Sequence, residues 1–418
     1  MRRLVKVRRQ PLWLPPSDSP TVDMLNWLLS GLGKERSERA VTDPRSLSFP
    51  SSFHLKDLSA ITAPVFALKR SVHQDAADKA ARVWFENVGV YNNRRLDRFL
   101  RVGKFDLFAA LSFPNADARH LETCLAFFLW AFSTDDLSDE GEFQNSPRDV
   151  QAGHDISMRV LHDKDAPRPT YPYAAMLYDI LHSIRTTSSQ GVYERFCRAF
   201  EAWSSSQVTQ SNNRKEHLFP SVEEFILMRR ATIGGAMVEA MVEYSLDLDI
   251  PAHVFEDPIV QGMSDAANDA MTWPNDLCSF NKEQADGDYQ NLVCIIMVER
   301  GVDLQAAVNI LTDMLAERVR DYANLKQKLP SFGAEIDARL AVYYENLEHF
   351  VQGTVVWYYN SPRYFPPDGI TDPRDLQVEL LMRGRMDTPQ GGISLSKGSS
   401  DITSMIVQLG SSMYHRLF

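Results

Sequence analysis

From residue 53 to residue 359, apolar side chains recur at three- and four-residue spacing, and hardly any stretch keeps a two-residue alternation. That period stacks apolar groups along one side of a helix and gives a sheet no face to bury, so the chain is expected to fold as an all-α bundle. The spacing predicts helices over 74–91, 95–111, 117–133, 149–161, 172–188, 193–212, 223–246, 254–272, 274–284, 291–300, 304–329 and 336–359. Short breaks carrying Pro, Gly or Asn separate them, as at Asn145-Ser146-Pro147 and Asp286-Gly287-Asp288, and no segment repeats at a fixed period. With 418 residues and 44% hydrophobic content the chain can bury one large core, placed here in a single domain at 51–370. Residues 1–50 mix basic residues, prolines and serines around a short amphipathic piece at 24–32, which reads as a poorly ordered extension. Residues 371–418 read as a loose or lid-like tail, since 387–400 is rich in Gly, Ser and Pro.

The formal charge of −11 argues against nucleic acid as a partner while leaving room for a local cationic pocket. Cys124, Cys197, Cys278 and Cys294 form no CxxC pair and lie in helical stretches, as reduced packing residues do. Arg2, Arg3, Lys6, Arg8 and Arg9 precede Pro11, Pro15 and Pro16, so no secretory apolar region develops. The longest apolar run, 125–132, is too short to span a bilayer. A cytosolic protein is expected, with a transit peptide as the minor alternative.

Asn275, Ser279 and Glu283 stand at i, i+4 and i+8, which on a helix makes one vertical row of oxygen-bearing side chains. Mg²⁺ takes hard oxygen ligands in octahedral array and commonly shares them with waters and phosphate oxygens, so the row implies a diphosphate. Lys282 adjoins it and can meet phosphate as a point charge. Pro274, immediately before Asn275, is awkward inside a helix, and the helix is expected to start or kink there.

A second motif, Asp135-Asp136-Leu137-Ser138-Asp139-Glu140, follows a helix carrying Phe127, Phe128, Trp130 and Phe132. Asp135 and Asp139 share a face with Phe132, Phe128 and Phe127, which sets an acidic rim above an aromatic wall. Alone, either motif reads as the solvated side of an amphipathic helix. Together they favour a metal and a phosphorylated ligand.

With these two motifs the chain resembles a class I terpene synthase of the fungal and bacterial type, over about residues 53–365. The resemblance implies a helical bundle around a central hydrophobic cavity. It makes Asp135 a direct metal ligand, with Asp136 and Asp139 as nearby contributors, and gives Asn275, Ser279 and Glu283 a further Mg²⁺, for three ions in all. Arg229, of the Arg229-Arg230 pair, falls where the family has its diphosphate-sensing arginine, and Gly234 and Gly235 fall where the family breaks that helix. Residues 353–365 resemble the closing motif, with Trp357, Ser361, Arg363 and Tyr364 in matching places; Thr354 and Tyr358 depart from its usual Asn and Ser. A homodimer through helices away from the mouth also follows from the likeness.

By that likeness Arg229, Lys282, Arg363 and Tyr364 hold the diphosphate, and Phe108, Phe128, Phe132 and Trp357 present aromatic faces to an allylic carbocation. For each ring the plain alternative is core packing. No second Asp-Asp-x-x-Asp, no Asp-x-Asp-Asp and no G-x-x-x-x-G-K occurs, and the histidines lack metal-ligand spacing. The expected activity is cyclisation of farnesyl diphosphate to a sesquiterpene. Geranyl or geranylgeranyl diphosphate are the alternative substrates, and a catalytically silent prenyl-diphosphate binder is the alternative of a different class.

Overall fold

A computed structural model describes residues 47–139, 146–163, 165–215, 219–365 and 375–382, and its helical periods turn into helices almost throughout. A short strand β1 (Ser52–Lys56) and helix α1 (Leu58–Thr62) lead into α2 (Gln74–Val88), α3 (Asn93–Gly103), α4 (Phe105–Ser112) and α5 (Ala118–Asp139). Then follow α6 (Pro147–His162), α7 (Pro172–Thr187), α8 (Gln190–Lys215), α9 (Val222–Thr232) and α10 (Gly235–Ser245). The chain continues with α11 (Pro258–Asp286), α12 (Leu292–Arg300), α13 (Leu304–Lys326), α14 (Ala334–Asn360) and a second strand β2 (Asp375–Glu379). The expected extension at 1–50 and the Gly-rich 387–400 fall mostly outside the described residues, as do 366–374.

Sequence signals explain the boundaries. Asp57, Asn92, Ser221, Asp257, Asn291 and Asp303 each accept a backbone N–H at a helix start, and Ser221 with Glu224 closes a reciprocal capping box. Two expected single helices are split. The 95–111 span breaks at Lys104, whose φ of 47° ends α3, and the 223–246 span breaks at Gly234, whose φ of +81° suits glycine alone. Conversely, of the start or kink expected at Pro274, no start occurs: α11 runs through it from Pro258 to Asp286. Proline deprives the Ala270 carbonyl of its helical donor, and the buried Tyr358 hydroxyl bonds the next carbonyl, that of Met271, at 3.2 Å, which ties α14 to this turn.

The long helices α11, α13 and α14, with α4, α5 and α2, enclose the core. Gly353 lets α14 approach α4 closely, because a Cβ there would stand 2.6 Å from the Leu111 carbonyl oxygen. The four cysteines form no disulfide among the described residues, and three of them are buried. No described helix is long and apolar enough to cross a membrane.

The strands were not visible in the periodicity. β1 pairs antiparallel with β2, Ser52 opposite Glu379, and Phe53, Leu55, Leu376 and Val378 point inward. Gln305 of α13 satisfies the outer edge of β1 by bonding both the N–H and the carbonyl of His54. β2 in turn is fastened to α11: Asn281 donates to the Glu379 carbonyl and accepts from Leu381 N, and Gln284 donates to the Leu381 carbonyl. Residues 375–382 are thus docked rather than loose, because side chains of α11 satisfy their backbone.

Candidate active site

Three segments meet at one end of the bundle: the last turn of α5, the middle of α11, and the turn after α14. Along α11 the row of Asn275, Ser279 and Glu283 forms as the spacing predicts, half-buried except for Ser279, which is buried. Arg229 of α9 reaches this row. Its Nη2 donates to Asn275 Oδ1 at 2.8 Å and its Nε to Asp276 Oδ1 at 2.9 Å. Burial opposes the Arg229 charge, but Asp276 and Glu283 outweigh it and raise its pKa above the ordinary guanidinium value. Arg230 turns away and grips Asp269 with two hydrogen bonds and Asp265 with a third, while Arg318 of α13 also donates to Asp269. Neither arginine is a surface residue; the pair anchors α9 to α11 and leaves Arg229 on the row.

Tyr364, in the turn after α14, accepts from Asn275 Nδ2 at 3.3 Å. The neighbouring Arg363 lies 2.9 Å from Asp136 Oδ1 and 3.7 Å from Asp135 Oδ2, and its guanidinium sits 5.1 Å above the Phe132 ring. Asp135 is half open to solvent and lies where the charges of Arg363, Lys282 and Arg229 reach it. Asp139 ends α5, and its side chain lies outside the described residues. The turn itself is fixed by Ser361, whose Oγ donates to the carbonyls of Val102 and Gly103 and accepts from Arg363 N. Of the departures from the closing motif, Thr354 satisfies itself on the Phe350 carbonyl. Arg229, Arg363, Tyr364, Asp135, Asp136 and Asn275 therefore gather at one mouth, through Arg229 and Tyr364 on Asn275 and Arg363 on the two aspartates.

The donor set suits a hard divalent cation. It consists of carboxylate, amide and hydroxyl oxygens, and the buried Ser279 Oγ has no hydrogen-bond partner among the described residues. No three His, Cys, Asp or Glu side chains among the described residues form a metal cage by themselves. An ion held here would therefore rely on the Asn275 and Ser279 oxygens beside the carboxylates, and on water. Burial, then Asp288 and Asp276, push the Glu283 carboxyl up to about 7, against the pull of Arg229 and a hydrogen bond from Asn291.

The aromatic wall is more closed than the sequence suggests. Phe108 is sandwiched between Phe128 and Trp357, each stacked with a centroid distance of 4.1 Å. Trp357 has no exposed surface, and its indole N–H is spent on the Gly103 carbonyl at 2.8 Å. Trp357, Phe108 and Phe128 are thus all buried within the stack; Phe132, partly exposed and stacked on Phe105, is the most open of the four. Phe127 touches the edge of this group, with its ring 5.8 Å from Phe128. It points to Phe196 of α8, because adjacent residues diverge by about 100° around a helix.

Residues missed in the sequence include Asp276, Asn291 and Tyr358. Asp276 lies off the i, i+4, i+8 row, and a buried carboxylate pairing with Arg229 is visible only once α9 is in place. Asn291 carried a signal, an Asn immediately before an apolar run, but as a helix cap rather than a partner of Glu283.

Residues 126–321 match the family described as terpene synthase family 2, C-terminal metal binding, a span that takes in both motifs. Sesquiterpene synthase 1 of Postia placenta is 30% identical over 341 residues, covering 81% of this chain and 98% of the relative. Alpha-muurolene synthase of Coprinopsis cinerea is 28% identical, covering 79% of this chain and 78% of its own. Among solved structures, germacradien-4-ol synthase from Streptomyces citricolor superposes with a TM-score of 0.62 at 18% identity, over 71% of this chain and 96% of that one. Alpha-eudesmol synthase gives 0.63 at 19% identity, over 71% and 97%. Those two likenesses concern the fold; the fungal relative carries the identity, and the chain belongs to the class I terpene synthases, a family of metal-binding lyases.

Proposed function

We propose that this chain is a Mg²⁺-dependent sesquiterpene synthase, which ionises farnesyl diphosphate and cyclises the allylic cation to a hydrocarbon or alcohol. The observation that carries the reading is the junction at Asn275, where the amide of the metal row bonds both Arg229 and Tyr364. A diphosphate arriving there finds the metal row, Arg229, and the Arg363-Tyr364 turn within one hydrogen-bonded group. Asn275, Ser279 and Glu283 on one side and Asp135, Asp136 and Asp139 on the other would hold three Mg²⁺ ions, which when bound supply the positive charge that draws off the leaving group.

The chain's own residues perform the remainder. Arg363 releases Asp136 and Asp135 to fork onto phosphate oxygens, and Arg229 turns from Asn275 and Asp276 to the same anion. Lys282 adds a point charge and Tyr364 a hydroxyl donor. Phe132 and Phe128, backed by Phe108 and Trp357, confine the hydrocarbon chain and offer ring faces to the cation as water is excluded. The names of the fungal relatives support a fifteen-carbon substrate. The enzyme is read as cytosolic and as a homodimer, and small prenyl diphosphates are its ligands.

The test is incubation of the purified protein with geranyl, farnesyl and geranylgeranyl diphosphates, with Mg²⁺ and with chelator, followed by gas chromatography and mass spectrometry. A Mg²⁺-dependent cyclic product from farnesyl diphosphate is expected. Return of all three substrates unchanged would favour the silent binder, and a product from another chain length would correct the substrate.

A further inference from the structure

Asn291 stands eight residues beyond Glu283, is wholly buried, and caps α12 by accepting Val293 N at 2.9 Å. Its amide nitrogen makes two further bonds. One goes to the Asp276 carbonyl at 2.8 Å, within the metal-row stretch of α11, and the other to Glu283 Oε2 at 2.8 Å. The oxygen and both N–H groups of the side chain are thereby in use: the oxygen fixes the next helix, and both N–H groups hold the helix that carries the row. A cap needs only the oxygen, and Ser or Asp supplies one as well. The use of both N–H groups asks for an amide, and one of the two meets the carboxylate that the proposed function assigns to the metal.

The surroundings make that contact matter. Asp276 and Asp288 both press negative charge on Glu283, and Arg229 opposes them from α9. A neutral donor that ties Oε2 keeps the carboxylate from turning away from its like-charged neighbours, and leaves Oε1 outside this bond. Side chains that orient a metal-binding carboxylate in this manner typically change metal affinity by about 10–100-fold when replaced.

We propose that Asn291 is a positioning residue of the active site, which holds Glu283 in the orientation required to bind the divalent cation and couples that helix to the start of α12. The proposal rests on the metal reading of the Asn275 row, and the two can fail separately. Asn291→Ser keeps a helix cap but is too short to reach Glu283. Asn291→Asp keeps the cap and sets a carboxylate where the amide donor was.

The experiment titrates Mg²⁺ at fixed inorganic pyrophosphate into the wild type, both variants and Glu283→Gln, following thermal unfolding and heat of binding. The expected result is a rise in half-saturating Mg²⁺ of about 10-fold or more in Asn291→Ser, larger in Asn291→Asp. The Mg²⁺ needed for half-maximal turnover of farnesyl diphosphate should rise in proportion. A purely structural cap would lower the metal-free unfolding temperature and leave the Mg²⁺ midpoint where it is in the wild type, and that result would overturn the proposal. If the wild type itself gains no stability from Mg²⁺ with pyrophosphate and matches Glu283→Gln, the metal reading falls and the proposal with it.

Discussion

The mouth and the aromatic wall are built from the same helices but held by different forces. At the mouth charged groups are tied to polar or oppositely charged ones: Arg229 to Asp276 and Asn275, Arg363 to Asp136 and Asp135, Glu283 to the Asn291 amide. One or two turns deeper, Phe108, Phe128, Phe132 and Trp357 meet ring against ring, and the one polar handle is an indole N–H on a carbonyl. Pairs of the first kind can exchange partners, since another anion or cation can replace either member. Stacked rings have no such substitute, and they hold a shape. Under the proposed function, the mouth would govern whether a bond breaks, and the wall what the resulting cation becomes.

Substitutions can break that division, and the largest effect is expected at the row. Asn275→Ala should cut turnover at least about a hundredfold while circular dichroism stays that of the wild type. Wild-type yield from that variant would remove the row from the chemistry. Arg363→Ala should slow diphosphate release about tenfold or more in rapid-quench assays, through loss of a charge-assisted phosphate contact. An unchanged rate would leave Arg363 as a structural clamp on Asp136. On the wall, Trp357→Leu should cost about 3 kcal/mol of stability, by removing the stack on Phe108 and the bond to Gly103, and should shift the product ratio. A destabilised variant with an identical product profile would confine Trp357 to packing.

A pH series addresses the mouth alone. With its carboxyl held at about 7, Glu283 binds a proton in competition with a cation, so Mg²⁺-pyrophosphate binding should weaken as pH falls through that value and strengthen above it. Calorimetry that finds no such slope would mean that Glu283 is not a ligand. The smallest effect is expected beside the row but on the side of α11 that faces β2: Asn281→Ala removes two of the bonds that fasten the segment around β2 and should cost about 1 kcal/mol, read as faster amide exchange over 375–382.

Much of this was legible in the chain because periodicity and spacing are local. The row of Asn275, Ser279 and Glu283 follows from four-residue steps, and the acidic end of α5 from an apolar helix running out into Asp135 and Asp136. What was hidden depends on groups distant in sequence. Pro274 reads as a helix start or kink, yet α11 runs through it, and Tyr358, 84 residues on, ties the adjacent turn to α14 through the Met271 carbonyl. Lys104 reads as mid-helix, yet Trp357 and Ser361 converge on the Gly103 carbonyl at the elbow it forms. Asp375–Glu379 reads as tail because a five-residue strand has no visible partner until β1 and Asn281 are beside it. Phe108 and Trp357 looked like cavity wall because aromatic residues near a motif cannot be told from their own packing partners by sequence.

The most direct test of the division compares Glu283→Gln with Phe128→Leu, measuring released diphosphate and hydrocarbon products from farnesyl diphosphate in the same reactions. The account predicts that Glu283→Gln loses diphosphate release, and that Phe128→Leu releases it within about tenfold of the wild-type rate while changing its products. Diphosphate released at the wild-type rate by Glu283→Gln, or a wild-type product mixture from Phe128→Leu, would contradict it.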